Sequence, residues 1–162
     1  MAKIEEDRIA IRTSNGHYLT AVNGGGMGEA ANQLPIHTDA RKIGGWETFR
    51  VRFSSDGFCT IQTSSGNYLT AVNGGGVGAP PNHPVATDRT AIQEWETFTM
   101  ERLGQGLYAF KTSKGTYMNA VGGGGKGEAA NKLPLHTDTT KAKAWEKFIV
   151  VPVKTGSGKK KK

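Results

Sequence analysis

Cysteine occurs once in 162 residues, at Cys59. A lone thiol excludes an intramolecular disulfide framework and any zinc site built on paired cysteines, so packing must hold the chain together. Long apolar runs are equally scarce. The longest, Phe148 to Val153, is broken by Pro152 and falls far short of the roughly 20 residues needed to cross a bilayer as a helix. The first eight residues, starting Met1-Ala-Lys-Ile, are mostly charged where a secretory leader would be apolar. The chain as written is therefore not expected to be addressed for export; a mature form without its leader would read the same, which leaves the compartment open. Leu, Ile, Val and Phe are thinly spread while glycine supplies 23 residues, a balance that opposes a helical bundle and favours short strands joined by turns.

The net charge of +7 resembles a nucleic-acid signal until it is located. Lys159, Lys160, Lys161 and Lys162 supply four of the seven, leaving +3 for the rest. The stretch 154–162, with Gly-Ser-Gly ahead of the lysines, reads as a disordered basic tail of engineered character and is set aside from fold reasoning. No nucleic-acid partner is expected without it.

The chain is written three times. Thr13-Ser-Asn-Gly-His-Tyr-Leu-Thr-Ala-Val-Asn-Gly-Gly-Gly recurs from Thr63 and, with changes, from Thr112; each copy closes on Trp-Glu-x-Phe at Trp46, Trp95 and Trp145. The copies span about residues 8–53, 58–102 and 107–153 of one domain, 1–153. Apolar residues alternate in short bursts such as Phe49-Arg-Val-Arg-Phe, the period of a strand. Ser-Asn-Gly, Ser-Ser-Gly and Ser-Lys-Gly separate two such bursts, where a tight hairpin needs a residue tolerant of positive φ. About four strands per copy, hence about twelve in all, cannot close a core singly but can do so around a pseudo-threefold axis. The expected fold is all-β, a β-trefoil. A three-bladed propeller is the competitor, but propellers typically need at least four blades. The predicted core columns are Ile11, Ile61 and Phe110; Leu19, Leu69 and Met118; Leu34, Val85 and Leu133; and Phe49, Phe98 and Phe148.

Repeated residues that packing does not require are the candidates for chemistry. All three tryptophans share one column, each followed by a glutamate: Glu47, Glu96 and Glu146. If the pair lies on a strand, alternation turns the glutamate inward with the phenylalanine and the indole outward. An outward indole is a platform for a sugar face, or else a plug between neighbouring strands near the barrel rim. An inward carboxylate must be hydrogen-bonded, either to loop amides or to sugar hydroxyls. Asp39, Asp88 and Asp138 form a second polar column, with His37 and His136 two residues earlier and Ala86 in the middle copy. His and Asp at this spacing can converge on one ligand; aspartate also caps loops routinely. The histidines do not fall in one column and show no zinc spacing, so no metal or cofactor is expected. The Gly-Gly-Gly-x-Gly stretches lack the Lys-Ser/Thr and following helix of a phosphate loop; they let a loop pack closely or a ligand approach backbone amides. Asn32, Asn82 and Asn131 either staple that loop, the favoured reading, or help to bind ligand.

These motifs resemble the fascin-like β-trefoils and, most closely, bacterial carbohydrate-binding modules of family 92, through Gly-x-Tyr-Leu-Thr-Ala-Val-Asn-Gly-Gly-Gly and the Arg89-Thr-Ala-Ile-x-x-Trp-Glu-Thr-Phe ending. The resemblance covers about residues 8 to 153 and implies a shallow β-glucan site in each repeat, formed by Trp46 with Glu47, Trp95 with Glu96, and Trp145 with Glu146. A second likeness is to small mussel galactose-binding β-trefoil lectins, whose His-x-Asp-x-His motif is half matched by His37-Thr-Asp39 and His136-Thr-Asp138; Arg41 and Thr140 stand where its last histidine would be. The expectation is a non-enzymatic protein that binds glycans at up to three sites. The alternative that the resemblance offers is a fascin-like actin-binding protein. No Ser-His-Asp or Cys-His arrangement recurs, and neither carboxylate column reads as a glycosidase acid/base pair, so an enzyme is not expected. If tryptophan and glutamate suffice, all three sites should bind; if histidine is needed, the middle one should fail.

Overall fold

The computed structural model describes residues 5–25, 36–54, 57–76, 85–104, 106–120, 123 and 135–153. The tail 154–162, Asn32, Asn82, Asn131, and the core candidates Leu34 and Leu133 lie outside the described residues.

Among the described residues twelve strands form, four per repeat. The first repeat contributes β1 (Glu5–Arg12), β2 (Tyr18–Ala21), β3 (Ile36–Ala40) and β4 (Phe49–Phe53). The second contributes β5 (Phe58–Gln62), β6 (Tyr68–Ala71), β7 (Val85–Arg89) and β8 (Phe98–Gly104). The third contributes β9 (Leu107–Lys111), β10 (Tyr117–Ala120), β11 (Leu135–Thr139) and β12 (Phe148–Pro152). The first and last strands of each repeat close an antiparallel six-stranded ring through the pairs Ile9 with Phe49, Val51 with Ile61, Cys59 with Phe98, Met100 with Phe110, Tyr108 with Phe148, and Ile11 with Val150. Closure leaves this barrel no open edge. The remaining strands pair as β2 with β3, β6 with β7 and β10 with β11, and each pair carries a register shift at the same place. This is a β-trefoil. Among the described residues no helix is long and apolar enough to cross a membrane.

The core follows the repeated columns. Ile11, Ile61 and Phe110, Leu19, Leu69 and Met118, and Phe49, Phe98 and Phe148 are all fully enclosed. One column needs correcting. The residue equivalent to Val85 is Ile36 in the first repeat and Leu135 in the third, since these pair with Ala21, Ala71 and Ala120 and are equally buried. A prolyl residue separates each of these two from the leucine that sequence alone selected, and only the strand register distinguishes the two apolar neighbours. Thr38, Thr87 and Thr137 are also buried completely, and their strands β3, β7 and β11 meet one another around the pseudo-threefold axis.

Hairpin turns take the expected form: Gly16, Gly66 and Gly115 sit at φ +89°, +95° and +90°. The glycine stretch of each repeat then clasps the turn of the next. Gly24 O accepts from Ser65 N at 3.0 Å, Gly74 O from Lys114 N at 3.2 Å, and Gly123 O from Asn15 N at 3.0 Å, which closes the cycle. Gly25, at φ +114°, lies so close to Thr63 that a Cβ there would collide with the threonine hydroxyl, and Gly75 stands in the same relation to Thr112. Of the two roles open to these glycines, close loop packing is the one seen at the described positions.

Candidate functional site

Each Trp-Glu pair lies on a one-turn 3-10 helix just before the fourth strand, at Gly45–Glu47, Glu94–Glu96 and Ala144–Glu146. The expected placement on an alternating strand is therefore corrected: strand parity begins only at Phe49, Phe98 and Phe148. The glutamate turns inward because the helical turn brings it back over its own start. Its Oε1 accepts the amide N–H three residues earlier, from Gly44 at 2.8 Å, Gln93 at 2.9 Å and Lys143 at 2.7 Å. This is the glutamate half of a capping box. Oε2 accepts from a side chain of the repeat's second strand: Thr20 at 2.6 Å, Thr70 at 2.8 Å, and Asn119. Glu96 and Glu146 are buried and Glu47 half-buried. Each carboxylate thus ties the tryptophan-bearing turn to the body of its repeat, and charge-assisted bonds of this kind are about twice as strong as neutral ones.

With its neighbour anchored, the indole is held outside. Trp46 is 47% and Trp145 45% exposed; Trp95 is half-buried. The difference is traceable to Arg89, whose guanidinium lies 5.9 Å from the Trp95 ring centroid, with Nε 3.9 Å from Glu96 Oε2. The corresponding strand ends carry Ala40 and Thr139.

Open depressions lie beside two of the indoles. One, of about 540 Å³, brings together Asp138, Trp145 and Glu146 with Lys141 and Lys143. The other, of about 590 Å³, joins Trp95 and Glu96 to Arg89 and Glu94. Both fall in the size range of small-ligand sites, roughly 300–1,000 Å³. On β11, Leu135 and Thr137 are buried while Asp138 is exposed and His136 half-buried, so His136 and Asp138 do share the outer side. His136 pairs with Asn119 and His37 with Thr20. Directly opposed residues share a face, so each histidine stands beside the residue that anchors the glutamate; Ala86 takes this place opposite Thr70. The side chains of Asp39 and Asp88 lie outside the described residues.

Sequence reasoning missed Arg89, Glu94, Lys141 and Lys143 as site-lining groups because it searched for what the copies share. These residues occur where the copies differ, and that difference is itself readable once the Trp-Glu column is aligned. Cys59 is buried and its thiol pKa is pushed up to about 12 by loss of solvent, which leaves it no thiolate for nucleophilic chemistry near neutrality.

No family model matches the chain, and no curated protein matches it. Solved structures do match in fold. A designed threefold-symmetric protein, ThreeFoil, superposes with a TM-score of 0.71 at 12% identity, covering 90% of this chain and 99% of that one. The agglutinin of Rhizoctonia solani gives a TM-score of 0.67 at 17% identity, over 92% of this chain and 96% of that one. A mosquitocidal holotoxin gives 0.69 at 12% identity; the match covers 93% of this chain but 18% of the toxin. At these identities the likeness concerns the fold.

Proposed function

We propose that this chain is a non-enzymatic, multivalent glycan-binding protein with one shallow site per repeat. The observation that carries the reading is the exposed indole held on a rigid, doubly anchored turn beside an open depression, as at Trp145 with Asp138. A pyranose presents a C–H face for the indole and hydroxyls for Asp138 and the lysines. Glu146 and its equivalents act as positioning residues that hold the tryptophan-bearing turn in place. The agglutinin among the structural neighbours supports a sugar ligand. The tryptophan platforms common to all three copies favour a β-glucan over a galactoside, because the His-Asp half-motif is incomplete in the middle repeat.

Isothermal titration with laminarin, pustulan and galactosides tests the proposal. Saturable binding should appear for a β-glucan, and each of Trp46→Ala, Trp95→Ala and Trp145→Ala should lower the number of oligosaccharide sites by one while the melting temperature changes little. Absence of binding to all three ligands, together with co-sedimentation with F-actin, would replace this reading by the cytoskeletal one.

A further inference from the structure

The barrel's pseudo-symmetry breaks where the second repeat meets the third. At the first junction the cross-strand pair on the outer wall is Arg8 with Arg50, and the space above it, bounded by Thr48, Thr63 and Ser64, is about 110 Å³. At the second junction the same pair is Phe58 with Thr99. The equivalent space, bounded by Thr97, Thr112 and Ser113, widens to about 700 Å³. At the third the pair is Leu107 with Ile149. Replacing two long guanidinium side chains with a phenyl ring and a short hydroxyl empties the cleft and leaves Phe58 44% exposed at its edge. Lys111 and Lys114 stand on its far side.

This cleft is not isolated. Glu94 lines both it and the depression beside Trp95, so the two are adjoining compartments with a carboxylate between them. An aromatic ring at each end, an acceptor in the middle, and hydroxyls and ammonium groups along the wall form a row of the chemistry that a chain of sugar units presents: C–H faces alternating with hydroxyl edges.

We propose that the middle repeat carries an extended glycan site running from Trp95 past Glu94 to Phe58, which takes several consecutive units of one β-glucan chain, whereas Trp46 and Trp145 hold single short segments. The proposal rests on the glycan-binding reading in its β-glucan form and assigns to Phe58, Thr99 and Glu94 a role that follows from neither the repeat motif nor the tryptophan column. Of the two outcomes open to the middle repeat, it takes the one in which tryptophan and glutamate suffice and histidine is not needed.

The test uses the full chain carrying Trp46→Ala and Trp145→Ala, so that only the middle site reports, titrated with laminaribiose and laminarihexaose. The hexasaccharide should bind about 10-fold more tightly than the disaccharide, the change that one well-formed extra contact gives. Adding Phe58→Ala should erase that preference and leave disaccharide affinity unchanged. Adding Thr99→Arg, which restores the residue type of the first junction, should do the same by filling the cleft, and retention of the thermal transition separates this from misfolding. Equal affinity for the two sugars, or a hexasaccharide preference that survives both added substitutions, would overturn the extended site while leaving the single-tryptophan reading intact. Binding that persists after Trp95→Ala in the same background, or no binding by the intact protein, would remove the parent reading and the extension together.

Discussion

Glu146 illustrates how one side chain converts a repeated motif into a rigid feature. It is buried, and its two oxygens hold the Lys143 amide and Asn119. Replacing it with alanine strands both donors, and unmet buried groups cost roughly 1–3 kcal/mol each. Glu146→Ala should therefore lower the urea midpoint clearly, and Glu47→Ala, at a half-buried position, should lower it less. Glycine positions divide just as sharply. Gly25→Ala should destabilise by roughly 1–3 kcal/mol, the usual range for overpacking, because φ is +114° and Thr63 occupies the space. Gly45 has nothing within 4 Å of an added Cβ, and Gly45→Ala should stay within about 0.5 kcal/mol of the parent. Cys59 supplies a pH-dependent signal. Its thiol ionises near 9.0 when exposed and near 12 in the folded chain, so the folded state favours the protonated form. The stability this confers is fully present below pH 9 and is lost as pH rises through 12. Denaturation midpoints should accordingly fall across that window, less so in Cys59→Ala, and a thiol reagent at pH 8 should label the native protein only through opening. Of this residue-scale detail the sequence exposed the columns, since Trp, Glu and Gly recur at fixed spacing. It did not expose the partners, because Asn119 lies 27 positions from Glu146 and the copies use threonine in its place.

At the scale of the element, the 3-10 turn is the unit that differs from the sequence reading. The four-residue stretch Trp-Glu-Thr-Phe has the residues of a strand, and alternation alone would place the indole outward for the wrong reason. The turn forms because the glutamate satisfies the amide at its start and Thr48 or Thr97 donates its hydroxyl back to Gly44 O or Gln93 O, each at 2.9 Å. The third copy has Lys147 at that position. Lys147→Thr should supply the missing donor to the Lys143 carbonyl and raise stability by up to about 1 kcal/mol, measurable as a higher thermal midpoint. The hairpins, by contrast, were legible throughout: the glycine at positive φ is a local requirement, and local requirements leave a mark in a single short segment.

The whole molecule joins these elements by a cycle in which every repeat clasps the next through Gly24, Gly74 and Gly123. Because the cycle closes, the three tryptophan turns are carried on one rigid body and cannot reorient independently. On a soluble oligosaccharide they should act as separate weak sites. On a polymer bearing many epitopes, retention should exceed the oligosaccharide affinity by roughly 10²–10⁴ where geometry permits simultaneous engagement, and should fall stepwise as Trp46, Trp95 and Trp145 are removed in turn. Affinity electrophoresis in a laminarin gel would display this as a graded loss of retardation.

What the amino-acid order determined alone was the threefold repeat, the strand content, all ten of the chosen core positions that fall among the described residues, and the column that bears the indoles; these depend on periodicity and spacing, which survive in one dimension. Only the folded chain decided that Ile36 and Leu135 stand in register with Val85, that the glutamates are fastened to their own turns, that Arg89 sets Trp95 apart, and that the Phe58 cleft opens beside it. The first and last of those outcomes arise between strands distant in sequence, where register and the volume of an opposed side chain determine what is buried and what stays open; the glutamate-to-amide and Arg89 contacts span three to seven residues and follow from the 3-10 turn, which alternation does not foresee.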